Sequence, residues 1–382
     1  MIYLDYNATT PCDSRVVEEM LPYFSEKFGN PASTTYPLAW QADEAVKRAR
    51  SRVATLVGAD PGELIFTSGA TEAINLALKG WVQLYQSARP GDQLHVITSK
   101  IEHAAVLDTC RSLESKGLQV TYLDVTRDGK IDLGELKASI RKQTILIAIM
   151  MANNETGVIQ DVGAISAIAK EHKVVFFSDT TQAVGKIPCR FRDSGIDMAC
   201  ISAHKLYGPK GVGVLYISRQ NPRIRLHPQL HGGGHEQEMR SGTLNVPGIV
   251  GLGKACELAV EPGQEMEQVR ILRDELELGL KDIAGLMING EHSERLPNVS
   301  NVGFKDIHAG QLIRLINNDL AISIGSACNA ADSKPSHVLK AMGVDEAYLY
   351  GSVRFSLGKP TNREEIQTTI SLIKNNILNI QK

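Results

Sequence analysis

Val174-Val-Phe-Phe-Ser-Asp179 and Cys200-Ile-Ser-Ala-His-Lys205 are the two stretches of this chain that decide its fold. The first is a run of strand character that ends on a carboxylate, and the second is a strand candidate that ends on a serine, a histidine and a lysine. Ligands of open α/β sheets bind outside the carboxyl ends of the strands. The two stretches therefore predict an acid and a lysine at one binding edge of a sheet.

Other strand candidates alternate with helical stretches around these two. The candidate strands cover residues 95–98, 145–150, 174–179, 198–202 and 213–217, and a helical pattern covers 162–171. Strands that alternate with helices are typical of βαβ units, whose strands run parallel. The pattern predicts an α/β fold with a mainly parallel sheet.

The length of the chain favours two domains. Its 382 residues exceed the roughly 250–300 at which single hydrophobic cores usually stop growing. The breaker Glu261-Pro-Gly-Gln264 precedes a helical pattern over about 265–283, which we expect to lead into a smaller C-terminal domain. We predict a large domain over residues 14–260 and a small α+β domain over 261–382.

Lys205 and Asp179 meet two requirements of pyridoxal 5'-phosphate (PLP). A lysine forms a Schiff base with the cofactor aldehyde, and an acid keeps the pyridine nitrogen protonated, so that the ring can accept electrons. Gln182 follows Asp179 closely and could donate a hydrogen bond to the phenolic oxygen of the cofactor. The alternative for Asp179 is a helix N-cap, and isolated lysines at such positions mostly face water.

The third requirement is a phosphate site, which Phe66-Thr-Ser-Gly-Ala-Thr71-Glu72 can provide. Small residues stand here between a strand and the apolar run 73–78, so that the N–H groups of Ala70 and Thr71 lie at a helix start. Unpaired amides and the helix dipole attract a dianion at such a position. Taken alone this motif is more often a plain helix cap, and the three requirements together favour PLP.

The chain resembles the cysteine desulfurases, which are class V, fold type I PLP enzymes, of the kind that serves iron–sulfur cluster assembly. The resemblance runs nearly end to end and rests on these ordered motifs: Tyr3-Leu-Asp-Tyr-Asn-Ala-Thr-Thr-Pro11, Gly29-Asn-Pro-Ala-Ser33, Thr67-Ser-Gly-Ala-Thr71, Glu102-His103, Asn153-Asn-Glu-Thr-Gly157, Ser202-Ala-His-Lys205, Arg240-Ser-Gly-Thr243, Gly325-Ser-Ala-Cys328 and Arg354-Phe-Ser-Leu-Gly358. It implies a seven-stranded sheet in the large domain, and it assigns residues 1–13 to the small one.

The resemblance also implies roles for single residues. It makes Lys205 the Schiff-base lysine and places His103 against the face of the cofactor ring. It also implies that Arg354 binds the carboxylate of the substrate, a role that suits the paired donors of a guanidinium. Apolar neighbours make the alternative for Arg354, a surface ion pair, less favoured. The remaining implied contacts are those of Ala70, Thr71, Ser202, Ala203 and His204 with the phosphate, Asn154 and Gln182 with ring substituents, Asp179 with the ring nitrogen, and Thr243 with the phosphate of the neighbouring subunit of a homodimer.

Cys328 is the residue that would distinguish desulfuration from transamination. It stands in Ile324-Gly-Ser-Ala-Cys-Asn-Ala-Ala-Asp-Ser-Lys-Pro335, a small and polar stretch typical of a loop. An exposed thiolate there could take the sulfur of L-cysteine as a persulfide, leave L-alanine, and deliver the sulfur to an acceptor protein. Lys205, with His103, would move the protons. Three other cysteines fit buried apolar positions, namely Cys110, Cys200 and Cys256, while Cys12 and Cys189 stay undecided.

Composition excludes several other classes of function. A net charge of −2 argues against a nucleic-acid patch. No apolar run approaches the ~20 residues that span a bilayer, and the amino terminus lacks a signal pattern, so we expect a cytoplasmic protein without membrane contact. Neither CxxC nor zinc-type histidine spacing occurs, and we expect no metal site.

Alternative functions remain open at this point. A selenocysteine lyase or an aminotransferase would retain Lys205 and Asp179, and an inactive scaffold protein would lack bound cofactor. The identity of the protein that accepts the sulfur is also open. The candidates are an iron–sulfur scaffold, a tRNA-thiolation component and a DNA-phosphorothioation component. Asn329 and Ala330, next to Cys328, depart from the Thr-Ser common in the family and leave that choice undecided.

Overall fold

The computed structural model describes residues 1–220, 224–260, 263–324 and 335–380. Its secondary structure in these ranges is mixed. The strands are β1 (Ile2–Tyr3), β2 (Leu64–Thr67), β3 (His95–Ser99), β4 (Gln119–Leu123), β5 (Thr144–Ala148), β6 (Val175–Asp179), β7 (Met198–Ser202), β8 (Gly213–Ile217), β9 (Leu286–Ile288), β10 (Val299–Phe304), β11 (Leu320–Ala321) and β12 (Ser352–Ser356).

Helices precede, separate and follow these strands. They are α1 (Ser14–Met20), α2 (Pro22–Ser25), α3 (Pro37–Val57), α4 (Ala70–Ala88), α5 (Ala104–Glu114), α6 (Leu133–Ser139), α7 (Val162–Glu171), α8 (Val246–Leu258), α9 (Gly263–Leu280), α10 (Ala309–Ile316), α11 (His337–Ala341), α12 (Glu346–Leu349) and α13 (Arg363–Ile380). Of the helices in the described ranges, none is both long and apolar enough to cross a bilayer.

A seven-stranded sheet forms the centre of the molecule, in the order β2-β8-β7-β6-β5-β3-β4. The pairs from β7 through β4 are parallel, and β8 runs antiparallel to both of its neighbours. Every residue of β5, β7 and β8 is buried. These strands are continuous apolar runs because helices cover both faces of the sheet. The predicted α/β fold with a mainly parallel sheet is confirmed.

Two smaller sheets lie outside the large one. β12, β10 and β9 form an antiparallel sheet, and β1 pairs in parallel with β11. A separate apolar cluster joins these strands to α9, α10 and α13. The N-terminal strand therefore packs with the C-terminal third of the chain. The division at residues 14–260 stays a prediction.

Most predicted elements match the structure closely. The strand at 213–217 and the helix at 162–171 have the predicted bounds, and α9 begins and ends slightly earlier than the predicted 265–283. β4 was not predicted. Along this strand the residues change from exposed through partly buried to buried, which gives neither a continuous nor an alternating apolar pattern. It lies at the edge of the sheet, where one side of a strand meets solvent.

Candidate active site

A cavity of about 740 Å³ opens at the carboxyl ends of β6 and β7. Its volume is in the range of small-molecule sites. Ten of the residues predicted for the site line it: Ala70, Thr71, His103, Asn154, Asp179, Gln182, Ser202, His204, Lys205 and Arg354. Tertiary structure thus brings together residues that are spread over most of the chain.

Ala203 and Thr243 do not line this cavity. Ala203 is fully buried in the core beneath the site, and Thr243 is exposed on the loop before α8. Cys328 lies outside the described residues. The roles predicted for these three residues stay predictions.

Lys205 ends a single 3₁₀ turn, Ala203–Lys205, that follows β7 directly. Its Nζ donates to the carbonyl oxygens of Asn7, at 2.5 Å, and Ala8, at 2.7 Å. Burial, and then the nearby charge of Arg354, lowers the pKa of Lys205 to about 8. A substantial fraction of this amine is therefore neutral near physiological pH and available as a nucleophile or base.

Asp179 is the last residue of β6, and one of its oxygens already has partners. Oδ1 accepts the N–H of Thr181 at 3.0 Å and the thiol of Cys200 at 3.2 Å. Cys200 is buried as predicted, and it also orients this carboxylate. These bonds fix the carboxylate plane and leave Oδ2 for a donor in the cavity.

Arg354 lies on β12 with a residue exposure of 2%. Its Nη2 bonds Asp5 Oδ1 at 2.6 Å, and its Nη1 donates to the carbonyl of Asn154 at 3.0 Å. Nε is buried and finds no acceptor among the residues that the structure describes. The surface ion pair considered for Arg354 is therefore wrong, since this pair is buried in the cavity wall.

The phosphate site predicted from the sequence is a tight turn into α4. Gly69, with φ 152°, precedes the helix and packs against Gly213, the first residue of β8. A Cβ on Gly213 would stand 2.7 Å from the Gly69 Cα, so only glycine allows this approach. The free amides at the start of α4 and the Ser202 side chain consequently face one small space.

Two histidines at the cavity are held by neighbouring groups. The Nδ1 of His103 accepts the Ala105 N–H at 3.1 Å and caps α5, which leaves the ring exposed at the cavity. His204 Nδ1 lies 3.1 Å from Thr9 Oγ1. Burial, followed by the charges of Lys205 and Lys210, lowers the pKa of His204 to about 4, so this ring is neutral at physiological pH.

Asn7 joins many of these groups and was not predicted as a site residue. Its carbonyl accepts from Lys205 and from Gln182, and its Oδ1 accepts from Lys186 and Asn298. Its Nδ2 donates to the carbonyl of Asn154 at 3.0 Å. The only signal in the sequence was its place in the Tyr3–Pro11 motif, beside Asp5, which was also missed as a site residue.

Two buried acids lie at the cavity: Glu155 lines it, and Glu102 is next to His103, which also lines it. Glu102 Oε1 accepts from the Ser99 hydroxyl at 2.6 Å and the Met150 N–H at 3.0 Å, and burial raises the pKa of Glu102 to about 8. Glu155 accepts from the Ser336 hydroxyl at 2.5 Å, and burial raises its pKa as well. Both motifs were noted in the sequence, although neither acid was given a role.

These residues fit PLP on three structural grounds. A half-buried lysine with a lowered pKa, a carboxylate with one free oxygen and an open helix start surround one cavity. The buried, unpaired Nε of Arg354 adds a donor for an anionic substrate. An amine, an acid and a dianion site are what the aldehyde, ring nitrogen and phosphate of this cofactor need.

Comparison with known proteins agrees with this site. The family model described as Aminotransferase class-V matches residues 2–369. Cysteine desulfurase IscS of Pectobacterium carotovorum subsp. carotovorum (strain PC1) is 50% identical over 379 residues, which cover 98% of this chain and 92% of that protein. Among solved structures, a NifS-like protein has a TM-score of 0.91 at 38% identity, with 99% of each chain covered.

A further solved structure, described as SspA in complex with cysteine, has a TM-score of 0.82 at 38% identity and covers 94% of this chain and 99% of that one. The chain belongs to the class V aminotransferase family, a family of PLP-dependent enzymes. Within that family it is one of the cysteine desulfurases, since its relatives at 50% identity over nearly the whole chain are enzymes of that kind. The recognition made from sequence motifs is confirmed, as is the cofactor.

Proposed function

We propose that this protein converts L-cysteine to L-alanine and passes the sulfur, as a persulfide on Cys328, to an acceptor protein. The observation that carries the proposal is the meeting of Lys205, Asp179 and Arg354 at one cavity. The selenocysteine lyase and aminotransferase alternatives share these residues and differ in the substrate and in the need for Cys328. The similarity to cysteine desulfurases along the whole chain favours desulfuration.

PLP bound here would supply an aldehyde and an electron-withdrawing ring, which stabilise negative charge at the substrate Cα. Lys205 would hold the aldehyde through Nζ, and Oδ2 of Asp179 would accept the ring N–H. The amides of Ala70 and Thr71, with the Ser202 hydroxyl and His204, would bind the phosphate. Asn154 and Gln182 would contact ring substituents, while His103 would lie against the ring face. Ala203 would contribute through its backbone beneath the site.

Arg354 would bind the carboxylate of the incoming cysteine. Asp5 and the Asn154 carbonyl hold Nη2 and Nη1, which leaves Nε and the remaining N–H bonds for the substrate. The guanidinium keeps its charge at any working pH and orients the Cα–H bond toward Lys205. Lys205 Nζ would take the α-proton and return it during formation of alanine.

Cys328 would act on the substrate sulfur. Its thiolate attacks that sulfur as the bond from sulfur to the β carbon breaks, so that one S–S bond forms and the electron pair of the C–S bond remains with the carbon skeleton. A thiol of the acceptor protein would then take the outer sulfur. Such a cysteine must stay reduced between turnovers, and this supports a cytoplasmic location.

We further propose that the protein works as a homodimer. Several large apolar side chains are exposed between α1 and the start of α3, namely Leu21, Phe24, Phe28 and Trp40. Trp40 lines a groove with Tyr23 of α2, so these helices share one surface. An apolar patch of this kind on a monomer is typical of an interface. A second copy seated there agrees with the position of Thr243, which is exposed and away from its own cavity.

The proposal is tested by adding L-cysteine to the PLP-loaded protein and measuring alanine together with the mass of the Cys328 peptide. We expect alanine and a gain of one sulfur atom on Cys328. Lys205→Ala should lose covalently held cofactor and turnover together, whereas Cys328→Ser should retain bound cofactor and form no persulfide. Full sulfur transfer by Cys328→Ser would contradict the role of this thiol. Labelled sulfur offered to the three candidate acceptor classes would then identify the recipient.

A further inference from the structure

Lys186 is a buried lysine that the reaction described above does not use. Its residue is 8% exposed, and its Nζ donates to Gln182 Oε1 at 2.7 Å and to Asn7 Oδ1 at 2.9 Å. Both acceptors are neutral amides. Burial, and then the charges of Lys205 and Arg354, keeps the pKa of Lys186 well below the usual value. A buried amine without charge compensation is costly to maintain, and a function in the site would account for it.

The hydrogen bonds around Gln182 fix which end of its amide is which. The amine of Lys186 donates to the end of the amide that faces it, which is Oε1. The opposite end lies 3.1 Å from the carbonyl of Asn7, which only accepts, so this end is Nε2. The two partners therefore settle an orientation that the shape of an amide alone would leave open.

This orientation decides what Gln182 presents to the cavity that it lines. Nε2 carries two hydrogens, and the Asn7 carbonyl takes one of them. The second hydrogen is left for an acceptor in the cavity. With the amide turned over, a carbonyl oxygen would face the same acceptor and repel an anionic oxygen.

We propose that Lys186 is a positioning residue for the cofactor, which holds Oε1 of Gln182 so that the amide donor faces the phenolic oxygen of bound PLP. The inference rests on the proposed function, because it takes the contact between Gln182 and the cofactor from there. The other acceptor of Lys186, Asn7 Oδ1, also accepts from Asn298, so the position of Asn7 does not depend on Lys186 alone.

A purely structural role for Lys186 predicts a different result on substitution. Lys186→Met keeps most of the side-chain volume, removes the donor and leaves the buried Gln182 Oε1 without it, so some loss of stability is expected whichever role Lys186 has. If Lys186 acts through Gln182, its removal should matter only while Gln182 is present. A double-mutant cycle measures this dependence directly.

The experiment compares the wild type, Lys186→Met, Gln182→Leu and the double variant. Cofactor-free proteins are titrated with PLP by visible absorbance, and their thermal unfolding is followed in parallel. In the wild-type background Lys186→Met should weaken PLP binding by about threefold to tenfold, which corresponds to ~0.7–1.4 kcal/mol. In the Gln182→Leu background the same change should have less than about a twofold effect. The absorption maximum of bound cofactor should shift equally in both single variants and no further in the double variant.

Lys130→Met is the matched control, because Lys130 is also a partly buried lysine, donates to the Ile159 carbonyl and does not line the cavity. It should leave PLP binding unchanged. Unchanged binding in Lys186→Met, or an equal loss in both backgrounds, would overturn the inference. If Lys186→Met does not fold, the cycle is run with Lys186→Leu under the same criteria. Failure of the wild type to bind PLP would instead contradict the proposed function, which separates the two results.

Discussion

Arg354 and Asp5 form a buried ion pair, with 2.6 Å between Nη2 and Oδ1, although 349 residues separate them in the chain. The pair joins the N-terminal segment to β12 in the wall of the active-site cavity. It fixes the orientation of the Arg354 guanidinium. The Arg354 side chain is 3% exposed. The stability of the fold and, on the proposed function, the binding of substrate therefore depend on the same contact.

Replacing Asp5 by asparagine should affect both properties. The change keeps the shape of the side chain and leaves Arg354 as a buried, unpaired charge, which costs about 2–4 kcal/mol of unfolding free energy. We also expect KM for L-cysteine to rise about tenfold, with a smaller change in kcat, because the guanidinium is no longer held in place. Denaturant unfolding and steady-state kinetics measure the two effects.

Asp13→Asn provides the matched control for Asp5→Asn. Asp13 pairs with Arg15 at 2.7 Å, in a pair whose arginine side chain is 58% exposed. Loss of an exposed pair should cost less than about 1 kcal/mol and leave KM unchanged. An Asp5→Asn protein with unaltered KM would show that Arg354 does not bind the substrate carboxylate.

Capture of PLP by the cofactor-free protein should become faster as pH rises, with a midpoint near pH 8 and a plateau above it. Lys205 must be neutral to attack the aldehyde, and burial together with Arg354 lowers its pKa to about 8. Below that value most of the amine is protonated and unreactive. Stopped-flow absorbance between pH 6 and 9 tests this, and a midpoint near that of a free lysine would contradict the environment described for Lys205.

Mixed dimers should reveal whether Thr243 serves the neighbouring subunit. Lys205→Ala and Thr243→Ala should each give a dimer with impaired sites. In a heterodimer of the two, one site would combine an intact Lys205 with the intact Thr243 of its partner. Unfolding and refolding a mixture should therefore restore about a quarter of the wild-type sites if subunits exchange at random. If the refolded mixture is no more active than the separately refolded variants, Thr243 acts within its own subunit.

Glu102 should make the protein less stable as pH rises. Burial raises the pKa of Glu102 to about 8 from 4.5, so between these values the folded state retains a proton that the unfolded state has released. The free energy of unfolding consequently falls with increasing pH over this window. One such group changes the free energy of unfolding by about 1.4 kcal/mol per pH unit. Between pH 5.5 and 7.5, Glu102→Gln should therefore lose ~2–3 kcal/mol less stability than the wild type.

Urea unfolding at the two pH values measures this difference. Glu44→Gln is the control, since Glu44 is exposed on α3 and its removal should leave the pH dependence as it is in the wild type. A Glu102→Gln protein with the wild-type slope would mean that Glu102 is ionised in the folded state at neutral pH.

The strands β6 and β7, which end at Asp179 and just before Lys205, were predictable because their signals are local. Parallel strands buried on both faces are short apolar runs, and a polar residue at the end of such a run reaches the binding edge of the sheet. Asp179 and Lys205 follow this rule. β4 escaped prediction because an edge strand mixes polar and apolar residues, and a local pattern then gives no clear period.

The sequence by itself determined the α/β class, the cofactor chemistry and ten of the residues that line the cavity, since each depends on residue types at the ends of local elements and on motifs in order. Only the tertiary structure decided the partners of those residues. Asp5 and Asn7 reach Arg354, Lys205 and Gln182 because β1 pairs with β11, and no spacing along the chain encodes that approach. The lowered pKa values of Lys205 and Lys186 have the same origin, because burial and converging positive charge exist only once distant segments have packed together.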